Sequence, residues 1–126
     1  MLVVFNFKNQ MSIKQQLELL EKFNQPINKQ HQLIIAPIIP NYDEYHFDIA
    51  VQNLSIKGRN VGDLSPQHLK HYNINYAFVG HLERKKYLNE TTRMICSKID
   101  NALQKDIIPI ICVGNHENPI FECATY

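Results

Sequence analysis

Asn75-Tyr76-Ala77-Phe78-Val79-Gly80-His81-Leu82-Glu83-Arg84-Lys85 changes character at one residue. Up to Val79 it is a short run of aromatic and small apolar residues, the composition of a buried strand. The strand expected here is Asn75–Gly80, and a charged segment follows it. His81 comes directly after the apolar run. The same punctuation recurs outward from this point. Upstream lie the strand-like runs Leu2–Phe7, Gln32–Ala36 (closed by Pro37) and Phe47–Asn53; downstream lies Ile107–Gly114. Between them, Ser12 is placed to cap a helix with Ile13, Leu17, Leu20 and Phe23 on one face, stopped at Asn24-Gln25-Pro26. Asn41–Tyr45 suits a single helical turn, and Gly58 with Gly62 suits a loop. Ser65-Pro66 opens another helix, because Ser caps well and Pro fits the first helical position. The longest helix is expected from Asn89 to about Lys105, with Thr91, Met94, Ile95, Lys98, Ile99 and Leu103 at helical spacing. Strands alternating with helices imply an α/β fold with parallel pairing and right-handed crossovers. Continuous apolar strands imply burial on both faces. No linker divides the chain, so residues 1–126 are expected to form a single domain. Periodicity alone leaves two architectures, an open doubly wound sheet and part of a (β/α)8 barrel.

Composition narrows the function classes. Of 126 residues, 44% are apolar and 20% charged, enough apolar surface to offset the entropy of ordering a core. The net charge is +1 with no basic or acidic block, which supplies no footprint for nucleic acid or an anionic membrane. Met1–Phe5 lacks the basic flank and cleavage site of a signal peptide, and no run approaches the roughly 18–20 apolar residues of a membrane span. Cys96, Cys112 and Cys123 are an odd set without CxxC spacing, which fits a reducing, cytoplasmic location better than a disulfide framework. His31, His46, His68, His71 and His116 are scattered. His68 and His71 share a helix face, but no third ligand stands at fixed spacing, so no metal or other cofactor is expected.

Five short segments carry a resemblance. Asn6-Phe7-Lys8 ends the first strand, and Ala50-Val51-Gln52-Asn53 ends the third. Gly58–Ser65 reads GRNVGDLS; Val79–Lys85 reads VGHLERK; Ile110–Gly114 reads IICVG. In order, spacing and placement at strand ends these resemble the triosephosphate isomerases, whose motifs are of the types Asn-Trp-Lys, Ala-Gln-Asn, Gly-x-x-Thr-Gly-Glu-(Ile/Val)-Ser and Val-Gly-His-Ser-Glu-Arg-Arg. The resemblance spans about residues 2–114 and implies the amino-terminal part of a TIM (β/α)8 barrel, with about five parallel strands and intervening helices. Residues 115–126 diverge from it.

That family interconverts dihydroxyacetone phosphate and glyceraldehyde 3-phosphate, in glycolysis and gluconeogenesis. The chemistry needs a base at carbon, an electrophile for two oxygens and positive charge near the anion. The resemblance makes Lys8 the active-site lysine and His81 the catalytic imidazole, acting neutral as a donor to substrate oxygens. It makes Asn6 a support for Lys8 and the substrate, Glu83 an acid beside the site, and Lys98 a lysine able to pair with that acid. Cys112 matches a strand cysteine and is read as a small hydrophobe. Without the resemblance, Lys8 would be an exposed lysine at a strand end, and Glu83 and Lys98 a solvated pair.

The departures also matter. The family's proton-shuttling glutamate follows a sixth strand, and no residue of this chain matches it; Glu117 and Glu122 have nothing to fix them near His81. Phe7 replaces the usual Trp, Leu82 a Ser and Asn115 an acid. Val61 stands where the family has a Thr in the loop that enters the partner subunit. The expectation is therefore a truncated isomerase chain, inactive alone, that works as a homodimer or with a complementing carboxyl-terminal half. A non-catalytic remnant or interaction module of the same fold, and an open-sheet small-molecule binder, stay open as alternatives. Open barrel edges imply a marginal or partnered chain, with Val4, Val51 and Ile111 on the exposed inner face or its outer counterpart.

Overall fold

A computed structural model of the chain describes residues 1–40, 44–58 and 61–113. The elements are β1 (Leu2–Asn6), α1 (Ile13–Phe23), β2 (Gln32–Ala36), β3 (Asp48–Val51), α2 (Pro66–His71), β4 (Tyr76–Val79), α3 (Leu82–Leu88), α4 (Thr92–Leu103) and β5 (Ile108–Ile111). The five strands form one sheet in the order β1-β2-β3-β4-β5, every pair parallel. A doubly wound sheet reverses its strand order at a switch point. Here each strand pairs only with its neighbours in sequence, so winding never reverses and the sheet curls into a half-barrel with helices between its strands. The open-sheet alternative is set aside by this order.

Side chains alternate across the pleat and build two layers. One layer packs strand residues such as Ile35, Ile49, Val51 and Ala77 against helix residues Leu20, Leu69 and Ala102. The other joins Ile34, Ala36, Ala50 and Phe78 with Tyr76, Ile110 and Cys112, without a helix residue, and is the concave face. Val51 is thus buried on the helix side, whereas Val4, 36% exposed, has the parity of the concave face. At the amino-terminal end of that face, Gln32 Nε2 donates to Asp48 Oδ2 at 2.9 Å and to Tyr76 Oη at 2.7 Å.

The helix starts follow their capping residues. Ser12 makes a full capping box with Gln15, Ser65 accepts from the backbone of His68 ahead of Pro66, and Thr91 accepts from Met94. The longest helix, expected from Asn89 to about Lys105, is present as α4 with shorter ends: Asn89, left-handed at φ 53°, is the carboxyl cap of the preceding α3, and Thr91 caps α4. One expectation is corrected. Ile13 and Leu17 are exposed, at 44% and 45%, and Gln16 takes the buried position beside Leu20. The reason is polar. Gln16 Oε1 accepts from the Ile38 N–H at 2.7 Å and its Nε2 donates to the Ile39 carbonyl at 3.0 Å, satisfying backbone that leaves the sheet after β2.

Among the described residues Cys112 is a free thiol. Among the described residues no helix is long and apolar enough to cross a membrane, and no three His, Cys, Asp or Glu side chains gather as a metal site. Residues 41–43 of the expected helical turn, residues 59–60 of the third loop, and Gly114 with the tail bearing Asn115, His116, Glu117, Glu122 and Cys123 lie outside the described residues.

Candidate active site

The carboxyl ends of the strands open on one pocket of about 380 Å³, lined by Lys8 and Gln10 after β1, Ile38 after β2, Gln52 and Asn53 after β3, and His81, Glu83 and Arg84 after β4. Sequential winding brings these ends to a common rim, where a curling parallel sheet gathers its loops.

Lys8 sits in the left-handed region, at φ 49°, uncommon for a residue with a Cβ. Its N–H donates to Asn6 Oδ1 at 2.9 Å, and that same oxygen accepts from Gln52 Nε2 at 2.9 Å. Gln52 Nε2 also donates to the Ala36 carbonyl at 2.8 Å. One side-chain oxygen thus ties β1, β3 and the Lys8 backbone together. The Lys8 ammonium donates to Glu83 Oε1 at 2.6 Å. That hydrogen bond and the attached charge raise the Lys8 pKa and lower that of Glu83.

His81 caps α3 and is 91% buried, being 9% exposed. Its ring stacks on Phe78, centroids 5.2 Å apart and planes 23° apart. Its Nδ1 lies 3.7 Å from Cys112 Sγ, and its Nε2 is buried with no hydrogen-bond partner among the described residues. Burial, then the nearby Lys8 charge, push its pKa below the ordinary histidine value, against the opposing pull of Glu83. The imidazole is therefore held neutral, the form that offers one N–H and one lone pair. Burial pushes the Cys112 thiol up, so it too stays protonated.

Lys98 is elsewhere than expected. Its ammonium is 1% exposed and donates to Glu90 Oε1 and, at 2.6 Å, to Asn53 Oδ1; Glu83 pairs with Lys8 instead. Arg84 Nε donates to the same Glu90 oxygen at 3.3 Å, and Asn53 Nδ2 donates to Asp63 Oδ1 at 2.8 Å. This buried chain clamps α3 and α4 to the loop after β3. A buried lysine requires an acid within reach: Glu83, in the first turn of α3, faces the open rim, whereas Glu90, between α3 and α4, is buried.

The structure thus brings Asn6, Lys8, His81 and Glu83 to one rim and sends Lys98 into a support behind it. Sequence reading gave Gln52 and Glu90 no role at the site and read Cys112 only as a small hydrophobe. Gln52 carried a signal, a long amide ending an apolar strand; Glu90 carried none at its position in the short connection between α3 and α4.

A family model for triosephosphate isomerase matches residues 1–120. The triosephosphate isomerase of Mesomycoplasma hyorhinis is 34% identical over an alignment covering 90% of this chain and 52% of that protein. The triosephosphate isomerase of Clostridium botulinum strain Loch Maree is 25% identical over 90% of this chain and 50% of that protein. That of Orientia tsutsugamushi is 40% identical over 57% of this chain and 30% of that protein. The chain spans about half the length of the first two relatives. With a match over nearly its whole length and a sequentially wound parallel half-barrel, the chain belongs to the triosephosphate isomerase family.

Proposed function

We propose that this half-barrel supplies the electrophilic side of an aldose–ketose isomerase site for triose phosphates, in glycolysis and gluconeogenesis, with no cofactor. The observation that carries the reading is that Lys8 and His81 line one pocket. The ammonium offers charge to the phosphorylated substrate and to an enediolate oxygen as it forms. The neutral imidazole offers a donor to the two substrate oxygens, and Asn6 holds the Lys8 backbone in place. Glu83, bonded to Lys8, orients the ammonium while no anion is bound.

Glu83 is the sole carboxylate lining the pocket among the described residues, and it is committed to Lys8. The carbon base therefore comes from outside them, on a complementing carboxyl-terminal half that adds the remaining strands. Exposed apolar side chains at both sheet edges support such a partner: Leu2 and Phe5 on β1, Ile108 on β5. A homodimer contact through the loop bearing the fully exposed Val61 is the further expectation, in a cytoplasmic protein.

A coupled turnover assay tests this. The 126-residue chain alone gives no turnover; mixed with the carboxyl-terminal half of the Mesomycoplasma hyorhinis relative it gives turnover that Lys8→Ala or His81→Ala removes. Robust turnover by the chain alone would overturn the proposal. A stable complex without activity would favour the non-catalytic interaction module, which the same exposed edges also suit.

A further inference from the structure

The two edges of the sheet differ in what they offer. At β1 the Gln32 N–H donates to the Met1 carbonyl at 2.9 Å, and the Phe7 N–H donates to the Ala36 carbonyl at 3.0 Å. Leu2 is in register with Gln32 and Asn6 with Ala36, so the odd-numbered residues of β1 turn their peptide groups to β2. The even-numbered ones, Leu2, Val4 and Asn6, turn theirs to the open edge, which no strand among the described residues covers. At β5 the Ile108 N–H donates to the Asn75 carbonyl at 2.7 Å and the Cys112 N–H to that of Val79 at 2.9 Å. There the even-numbered residues face β4, and Pro109 and Ile111 face outward. Proline has no N–H, so the open edge of β5 lacks a donor within the strand. β1 has no such guard. Leu2–Asn6 contains no proline and no charged residue, and Leu2, Val4 and Phe5 are exposed.

We infer that β1 is the pairing edge for a second copy of this chain, laid antiparallel to it about a two-fold axis at Val4. A two-fold contact needs a surface complementary to itself. β1 meets that condition. With the axis at Val4, Val4 opposes Val4 of the second copy and Leu2 opposes Asn6 of the second copy. These are the residues whose peptide groups face outward, so each opposed pair exchanges both backbone hydrogen bonds. Val4 then packs beside its counterpart on the concave face, and the exposed Phe5 beside Val3 of the second copy on the outer face. Pro109 discourages the same pairing at β5, so the assembly closes at two copies. A net charge of +1 per chain opposes it little. The contact is distinct from one through the loop bearing Val61, and it does not rest on the isomerase reading. The carboxyl-terminal half proposed above would occupy the same edge and displace the second copy.

Sedimentation of the 126-residue chain tests this. A reversible dimer is expected between about micromolar and millimolar concentration, the weak range of a contact smaller than a standard interface. Amide exchange at Leu2 and Val4 slows as the dimer fills, a readout that needs no variant. Val4→Lys sets two ammonium groups side by side at the axis and weakens the dimer about ten-fold, with recovery in high salt. Val4→Pro deletes an outward N–H while leaving the bonds to β2 in place, and weakens it by a similar factor of about ten. A chain that stays monomeric throughout that range would overturn the inference. So would a dimer that Val4→Lys leaves as strong as before, since it must form elsewhere. Protection of Leu2 and Val4 that does not depend on concentration would do the same, because the edge would then be covered from within one chain. None of these readings involves turnover, so failure of the isomerase assay and failure of this inference are separate results.

Discussion

Lys8 Nζ donates to Glu83 Oε1 at 2.6 Å, joining the exit of β1 to the first turn of α3. The two strands concerned, β1 and β4, are not adjacent in the sheet. The pair therefore spans the mouth of the half-barrel, and each partner shifts the titration of the other, Lys8 upward and Glu83 downward. Glu83→Gln is expected to bring the Lys8 titration down toward the ordinary lysine value. Lys8→Met is expected to bring Glu83 up toward the ordinary glutamate value. Carbon-detected NMR titration of the two side chains reads both; an unmoved Glu83 would show that the pair is not held in solution.

The lowered His81 pKa has a defined sign in stability. In the folded chain the imidazole resists protonation, while in the unfolded chain it takes a proton near pH 6.5. The unfolded state then binds more protons, so stability from this group is complete above pH 6.5 and is lost as pH falls through the folded-state value. Denaturant melts across that window should show a steeper acid limb for the parent than for His81→Asn. Equal limbs would mean that the ring is solvated.

Breaking the clamp behind the site should be costly. Glu90→Gln leaves the buried Lys98 charge uncompensated and should lower stability by about 3–5 kcal/mol, read as a shifted urea midpoint; Lys98→Met, which leaves Glu90 its Arg84 partner, should cost less. The double replacement should recover much of that loss, because two neutral side chains need no mutual compensation. A double variant as unstable as the sum of the singles would contradict the pairing.

Backbone strain separates two kinds of glycine substitution. Gly80 has φ 79°, and an added Cβ would lie 3.4 Å from Ile95 Cδ1 and 3.6 Å from the Cys112 carbonyl oxygen. Gly80→Ala should cost about 1–3 kcal/mol through its left-handed backbone. Lys8 also lies at positive φ. Lys8→Gly should therefore unfold at a denaturant midpoint at or above that of Lys8→Ala, although both lose the ammonium. The reverse order would place Lys8 in ordinary backbone.

Much of the fold was legible because β-rich runs and capping residues are local signals. Ser12, Ser65 and Thr91 each precede a helix, and the strands fall on the apolar runs. The choice between an open sheet and a barrel was not legible from periodicity, since both alternate strand and helix; strand order decides it, and order is a tertiary property. The site was legible only in part. Asn6, Lys8 and His81 stand at strand ends, where the topology aims them at one rim. The partner of Lys98 was not legible, because Glu83 and Glu90 are both acids shortly before α4 in the sequence, and only the tertiary fold turns the first to the rim and the second inward. The buried face of α1 failed for a related reason: spacing favours Ile13 and Leu17, but unpaired backbone after β2 demanded an amide at Gln16.

Gln16 lies on an outer helix, yet it fixes the peptide groups of Ile38 and Ile39, and Ile38 forms part of the pocket wall. The wall of the pocket at Ile38 is consequently anchored from the far side of the sheet. A mouth remodelled for a bulkier ligand would have to be altered at this remote amide as well, since enlarging the lining alone leaves its scaffold anchored where it was.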